Sequence, residues 1–194
     1  ETEPRMLLRL AARRNMFAPS LSLAIGASLS FAASPTQSSA CASAPPLAGI
    51  IKYHHLWVDE KGDTHVQRDC SIGSLLKKAY AGDSVQYVRA LTDLPVTNVV
   101  FTQQFGDNPW HYCPSSQFVI TLAGEWFIRT SDGETVVMQA GDCLYQDNTP
   151  SHPCATPGTR KAMHYSGAHG GPCSQFVIQV DVPAQVGKPG RWSS

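Results

Sequence analysis

The residues that could do chemistry sit in "NPWHYCPSSQFVITLAGEWF", Asn108 to Phe127, where His111, Cys113 and Gln117 fall within seven positions of one another. If this stretch is a strand, alternate side chains share a face, so His111 and Cys113 point one way while Trp110 and Tyr112 point the other. Pro114 then ends the ladder and Gln117 returns after a turn. A second histidine, His152, follows a separate turn in "YQDNTPSH" and would meet the first group if the intervening strands close on themselves. Tyr145 and Asp147 precede His152 and would supply acid or base chemistry near such a site; the competing reading is a strand tyrosine and a turn aspartate. His164, in "KAMHYS", is either a further ligand or a satisfied core histidine. No phosphate-binding glycine loop, dinucleotide fingerprint or G-x-S-x-G elbow is present.

The elements that must position these groups are short and strand-like. "IIKYHHLWV" reads as a strand, "CSIGSLLKKAYAG" as one short helix with Ser71 as its cap and Gly82 as its stop. From Val85 onward, short apolar runs alternate with turn signals. The strongest of these is Asp132-Gly133 in "EWFIRT-SDGE-TVVMQ", a tight hairpin that needs positive φ. Roughly eight strands follow from this reading, which suits a sandwich or small barrel. "SQFVI" occurs twice, at 116–120 and 174–178; because nothing on either side repeats, it reads as coincidence.

Composition bounds the function. The chain of 194 residues holds 15 basic and 15 acidic residues, which argues against a nucleic-acid or polybasic membrane surface. After Glu3 no acidic residue occurs until Asp59, and Arg5, Arg9, Arg13 and Arg14 precede the uncharged "LSLAIGASLSFAA". This pattern fits a secretory signal or an organelle transit peptide, and is too short and serine-rich for a membrane span. Residues 1–46 are therefore expected to be a targeting or disordered segment, 47–183 one β-domain, and 184–194 a loose tail. Five cysteines lie beyond residue 44, an odd number with no C-x-x-C pair, so a complete disulfide framework is excluded.

The spacing of the first group and of the second half resembles the two-motif signature of the cupin superfamily. Its first motif runs H-x-H, three or four residues, Glu, six residues, Gly; here stand His111-x-Cys113, three residues, Gln117, six residues, Gly124. Its second runs Gly, five residues, P-x-G, two residues, His, three residues, Asn. Here Gly141-Asp142 opens it, Asp147-Asn148-Thr149 occupy the P-x-G positions, His152 falls on the histidine, and Thr156 replaces Asn. The resemblance spans Ile50 to Val182 and looks closest to small single-domain cupins with a W-H-x-x-P-x-x-Q motif. It implies an all-β double-stranded β-helix, or small jelly-roll barrel, with the one short helix on its N-terminal side, and pairing into a homodimer.

The same resemblance implies a ligand set of His111, Cys113, Gln117 and His152. Gln117 removes the anionic ligand usual in the family, and Cys113 would restore it as a thiolate. Such a set favours zinc, iron or copper over manganese and leaves a coordination position open. The implied function is metal-assisted oxygenation, isomerisation or elimination on a small organic molecule. The alternative is a metal-free cupin that holds a small ligand and catalyses nothing, with both histidines bonded to Gln117 and Cys113 a buried thiol.

Overall fold

In the computed structural model, residues 48–193 are described, and every regular element among them is a β-strand. The targeting segment expected at 1–46 lies outside the described residues. The strands are β1 (Ile51–Val58), β2 (Thr64–Ile72), β3 (Leu76–Ala79), β4 (Val85–Val88), β5 (Val96–Gln104), β6 (Asp107–His111), β7 (Ser116–Arg129), β8 (Thr135–Met138), β9 (Cys143–Gln146) and β10 (His164–Val180).

Two long strands organise the rest. β7 pairs antiparallel with β10 from Ser116↔Val180 to Arg129↔Tyr165. The other edge of β7 takes β9 along its first half and β8 along its second. The other edge of β10 takes β5 and then β6, which run as one interrupted strand. β1 joins β9 in parallel and carries β2 on its far side. β7 bends at Gly124 (φ +72°), where a Cβ would collide with the Pro172 carbonyl and press on Cys173. The β7–β10 register slips opposite that point, between His169 and Ser174. Only glycine meets both demands there.

Alternation along β7, shifted by one residue at the Gly124 bend, sends Val119, Trp126 and Ile128 to the interior, where Leu56, Val136, Met138, Leu144 and Val177 join them. Each fully buried aliphatic side chain contributes about 1.5–3 kcal/mol relative to exposure. A second cluster gathers Tyr53, Cys70, Tyr145, Val180 and Trp192. The segment after β10 is tied to it: Trp192 N–H donates to the Tyr53 hydroxyl at 3.0 Å, and Gly190 N–H to His55 Nδ1 at 2.9 Å.

Two expectations are corrected here. The barrel does not close: the strand path begins at β2 and stops at β5, with no pairing between those two edges. Alternation tells how many strands there are and which face is buried, whereas closure depends on tilt and stagger that no local pattern encodes. The short helix is also not formed. Its residues make the end of β2 and the β3–β4 hairpin, with Lys77 opposite Tyr87 and the turn closed by Tyr80 N–H to the Ser84 carbonyl. Leu75, Leu76, Ala79 and Tyr80 have helical spacing, but Ser74 (φ 56°) and Gly82 (φ 55°) both take the left-handed conformation that interrupts a helix.

Candidate functional site

A cavity of about 480 Å³ opens between β5, β6, β7 and β10, a size suited to a small molecule. Its wall is built by the pleat. Gln117 and Val119 on β7, Gln175, Val177 and Gln179 on β10, and Val100 and Thr102 on β5 all turn inward, with Gln146 reaching in from β9. Seven lining residues carry carboxamides, while only one, Asp107, carries a charge.

Register places the carboxamides in a row across four strands. Gln146 is opposite Gln117, Gln117 opposite Gln179, and Gln179 opposite Asn98. Asn98 Nδ2 donates to Gln179 Oε1 at 3.2 Å, and Gln179 Nε2 donates to Gln117 Oε1 at 3.2 Å. The donors therefore all run in one sense. At the end of the row, Gln117 Nε2 has no partner among the described residues, and the Oε1 of Gln146 is buried without one. A buried acceptor left unpaired costs about 1–3 kcal/mol, so the row favours a guest that both accepts and donates.

Beside this row, His111 and His164 face each other across the β6–β10 pair, ring centroids 4.3 Å apart. His111 Nδ1 lies 2.7 Å from the Pro109 carbonyl and donates to it, because a carbonyl only accepts. In the neutral ring, Nε2 is then an acceptor. His164 is oriented the other way. The Asn148 amide nitrogen donates to the Ala162 carbonyl at 2.9 Å and to His164 Nδ1 at 2.8 Å, so the His164 proton sits on Nε2. Complete burial, with the neighbouring His111 adding, pushes His164 down to about 3. It is neutral throughout the physiological range and presents a donor at Nε2.

Of the residues singled out in the sequence, His111 and Gln117 line this cavity, and Cys113 and His152 do not. Cys113 follows the end of β6, and its Sγ points to the Gln146 carbonyl at 3.9 Å. Its side chain is buried, and burial, reinforced by Asp147, pushes the thiol well above its ordinary value. The thiol is thus held protonated. His152 is buried in the loop after β9, where Nδ1 accepts the Cys154 N–H at 3.0 Å; burial lowers its pKa. Tyr145 and Asp147 are wholly buried outside the cavity lining. Tyr145 packs on Phe118 and Trp192, and burial, with Asp147 adding, raises its pKa. Asp147 Oδ2 accepts Gln185 N–H at 3.2 Å, and its Oδ1 lies 3.8 Å from His55 Nε2.

Among the described residues, no three His, Cys, Asp or Glu side chains come together in a way that could hold a metal ion. This overturns the expected zinc, iron or copper centre, and with it the metal-dependent oxygenase, isomerase or lyase reading. The chemistry agrees. Gln117 brings no negative charge, the Cys113 thiol is kept neutral, and the imidazoles of 111 and 152 are turned to different backbone groups. His164, weighed in the sequence as a further ligand or a core histidine, lines the cavity, as do Gln146, Gln175 and Gln179, which the sequence did not single out. The repeated "SQFVI" carried the signal for one of them. Its two copies pair with each other, Val119 opposite Val177 and Ile120 opposite Phe176, and so bring Gln117 and Gln175 to one face.

No protein-family model matches the chain, and no curated protein matches it. Among solved structures, a Neisseria meningitidis protein is 14% identical, with a TM-score of 0.33, over 48% of this chain and 89% of its own. A cupin-2 domain containing protein from Shewanella frigidimarina is 16% identical, with a TM-score of 0.32, over 48% of this chain and 84% of its own. The likeness to these two structures is of low identity. It does not single out the W-H-x-x-P-x-x-Q motif, and at these scores it supports no statement about activity. No helix among the described residues is long and apolar enough to cross a membrane.

Proposed function

We propose that this protein binds a neutral, hydroxyl-bearing small molecule in the β5–β10 cavity, held by carboxamides and the neutral His164 imidazole, and that it does so without a metal ion and without catalysis. The observation that carries this reading is the carboxamide row ending in a free donor on Gln117 and an unpaired acceptor on Gln146. A hydroxyl group satisfies both at once, accepting from one and donating to the other. The lining holds no Lys or Arg to attract an anion. Its single carboxylate, Asp107, already accepts from the Tyr165 hydroxyl at 2.6 Å. Val100, Val119 and Val177 supply apolar surface for the carbon skeleton. A monosaccharide has this mixture of groups.

Calorimetric titration with a panel of neutral monosaccharides tests the reading, with lactate and ammonium as charged controls. The expected result is saturable binding of at least one sugar, weakened on the order of tenfold by Gln117→Leu. Preference for a charged control, or sugar binding indifferent to Gln117→Leu, refutes it. A homodimer is also supported, by the large apolar residues left uncovered on edge strand β5, where Phe101 is 74% exposed and Val99 49%. Light scattering that gives a dimer for the native chain and a monomer for Phe101→Glu is the expected outcome; a native monomer removes this reading.

A further inference from the structure

A second cavity, of about 380 Å³, lies on the other side of β6, lined by Trp110, Arg129, Arg160, Lys161 and Asp63 together with the tip of the β7–β8 hairpin. Trp110 faces this cavity and its neighbour His111 faces the first, so β6 is the wall between them. Three cations and one carboxylate meet here, in a chain whose charges balance as a whole. Lys161 Nζ and Asp63 Oδ1 pair at 3.0 Å and neutralise each other. Two guanidiniums remain, and neither Arg129 nor Arg160 has a carboxylate partner among the described residues.

Both are nonetheless held in place. Arg160 lies over the Trp110 ring at 4.8 Å, Arg129 over the Tyr165 ring at 5.6 Å, and the two rings meet edge-on at 6.2 Å. The result is a row of cation, ring, ring, cation that fixes the two planar forks around one opening. Holding the forks before a ligand arrives lowers the ordering cost of binding. The hydroxyls on this wall are already used, Thr159 on the Thr156 carbonyl at 2.8 Å and Ser131 on Thr64, so recognition falls to the cations.

From this geometry we infer that the Trp110 cavity is an anion site for a phosphate monoester of a small molecule. The unmatched double positive charge equals the charge of the dianion, and two arginine forks match phosphate oxygens bidentately. The space accommodates the phosphate and a few carbon atoms. This site is distinct from the neutral cavity, takes a ligand of opposite character, and stands whether or not the neutral cavity binds a sugar.

The test is calorimetric titration at constant ionic strength with inorganic phosphate and with methyl phosphate, which carries no hydroxyl that the first cavity would recognise. Saturable binding at one site per chain is expected, weakened on the order of tenfold by either Arg129→Gln or Arg160→Gln and lost in the double variant. Both side chains are exposed, so the variants are expected to melt like the native protein, which a thermal scan verifies. Absence of saturable binding up to about 10 mM phosphate overturns the proposal, as does binding that survives the double variant. Tighter binding to phosphatidylserine vesicles or to a single-stranded oligonucleotide than to methyl phosphate overturns the small-molecule assignment.

Discussion

If His164 is the neutral half of the imidazole pair, its burial must cost the fold stability in mild acid. In the unfolded chain a histidine takes up a proton near pH 6.5. In the folded protein His164 stays unprotonated down to about 3. Across that window the unfolded state binds one more proton than the folded state, so stability rises with pH there. It is complete above about pH 6.5, falls as pH drops, and stops falling below about pH 3. Each unit is equivalent to about 1.4 kcal/mol, so lowering the pH from about 6.5 to 4.5 removes roughly 3 kcal/mol through this one side chain. His164→Gln keeps an acceptor for the Asn148 amide and cannot titrate. Urea unfolding of both proteins at the two pH values isolates the difference, since His152, whose pKa is also lowered by burial, is present in each. The native protein is expected to lose about 3 kcal/mol more than the variant. Equal losses would mean that His164 titrates normally in the folded state, and its role as a neutral donor would fall.

Three further outcomes follow from the same geometry. Gly124→Ala places a methyl group against the Pro172 carbonyl at a positive φ, and is expected to cost at least about 2 kcal/mol in urea unfolding. A loss below about 0.5 kcal/mol would show that the β7 bend does not depend on glycine. The Cys113 thiol is buried and its pKa raised, so a thiol reagent at about pH 8 is expected to leave it unmodified until the chain unfolds, as peptide mass spectrometry would register. Labelling of Cys113 in the native protein would contradict its protonated, inaccessible state. Arg89 Nη1 donates to the carbonyls of Gly73 and Trp192 at 2.9 Å each; Arg89→Met is expected to lower the melting temperature by several degrees, and no change would remove its anchoring role.

What the sequence revealed depended on whether the deciding interaction was local. The hairpin at Asp132-Gly133 was legible because its turn needs a positive φ, and Gly133 has one, at 97°. Strand β1, and the strand-rich character of the chain beyond Val85, were legible from short apolar runs set between turn signals. The segment leading into the β3–β4 hairpin reads as a helix because Ser71 and Gly82 resemble its cap and stop, while the left-handed Ser74 leaves no mark in the sequence. His111 and Gln117 were found by spacing and do share a cavity. Cys113 shares a face with His111 only if the strand continues, but β6 ends at His111 and the Cys113 Sγ points to the Gln146 carbonyl. Pairing such as Gln117 with Gln179, sixty-two residues apart, is a product of register and has no local signature. Glutamines in strands look like ordinary half-exposed polar residues until their neighbours are known.

The central claim is that the free end of the carboxamide row receives a neutral hydroxyl group. Side-chain amide resonances of Gln117 and Gln179, followed by nuclear magnetic resonance while a neutral monosaccharide is titrated in, report on that contact directly. The account predicts saturable shifts in both, accompanied by the His164 ring and absent with lactate. Shifts produced by lactate or by a divalent metal, with the sugar leaving all three unmoved, would contradict it.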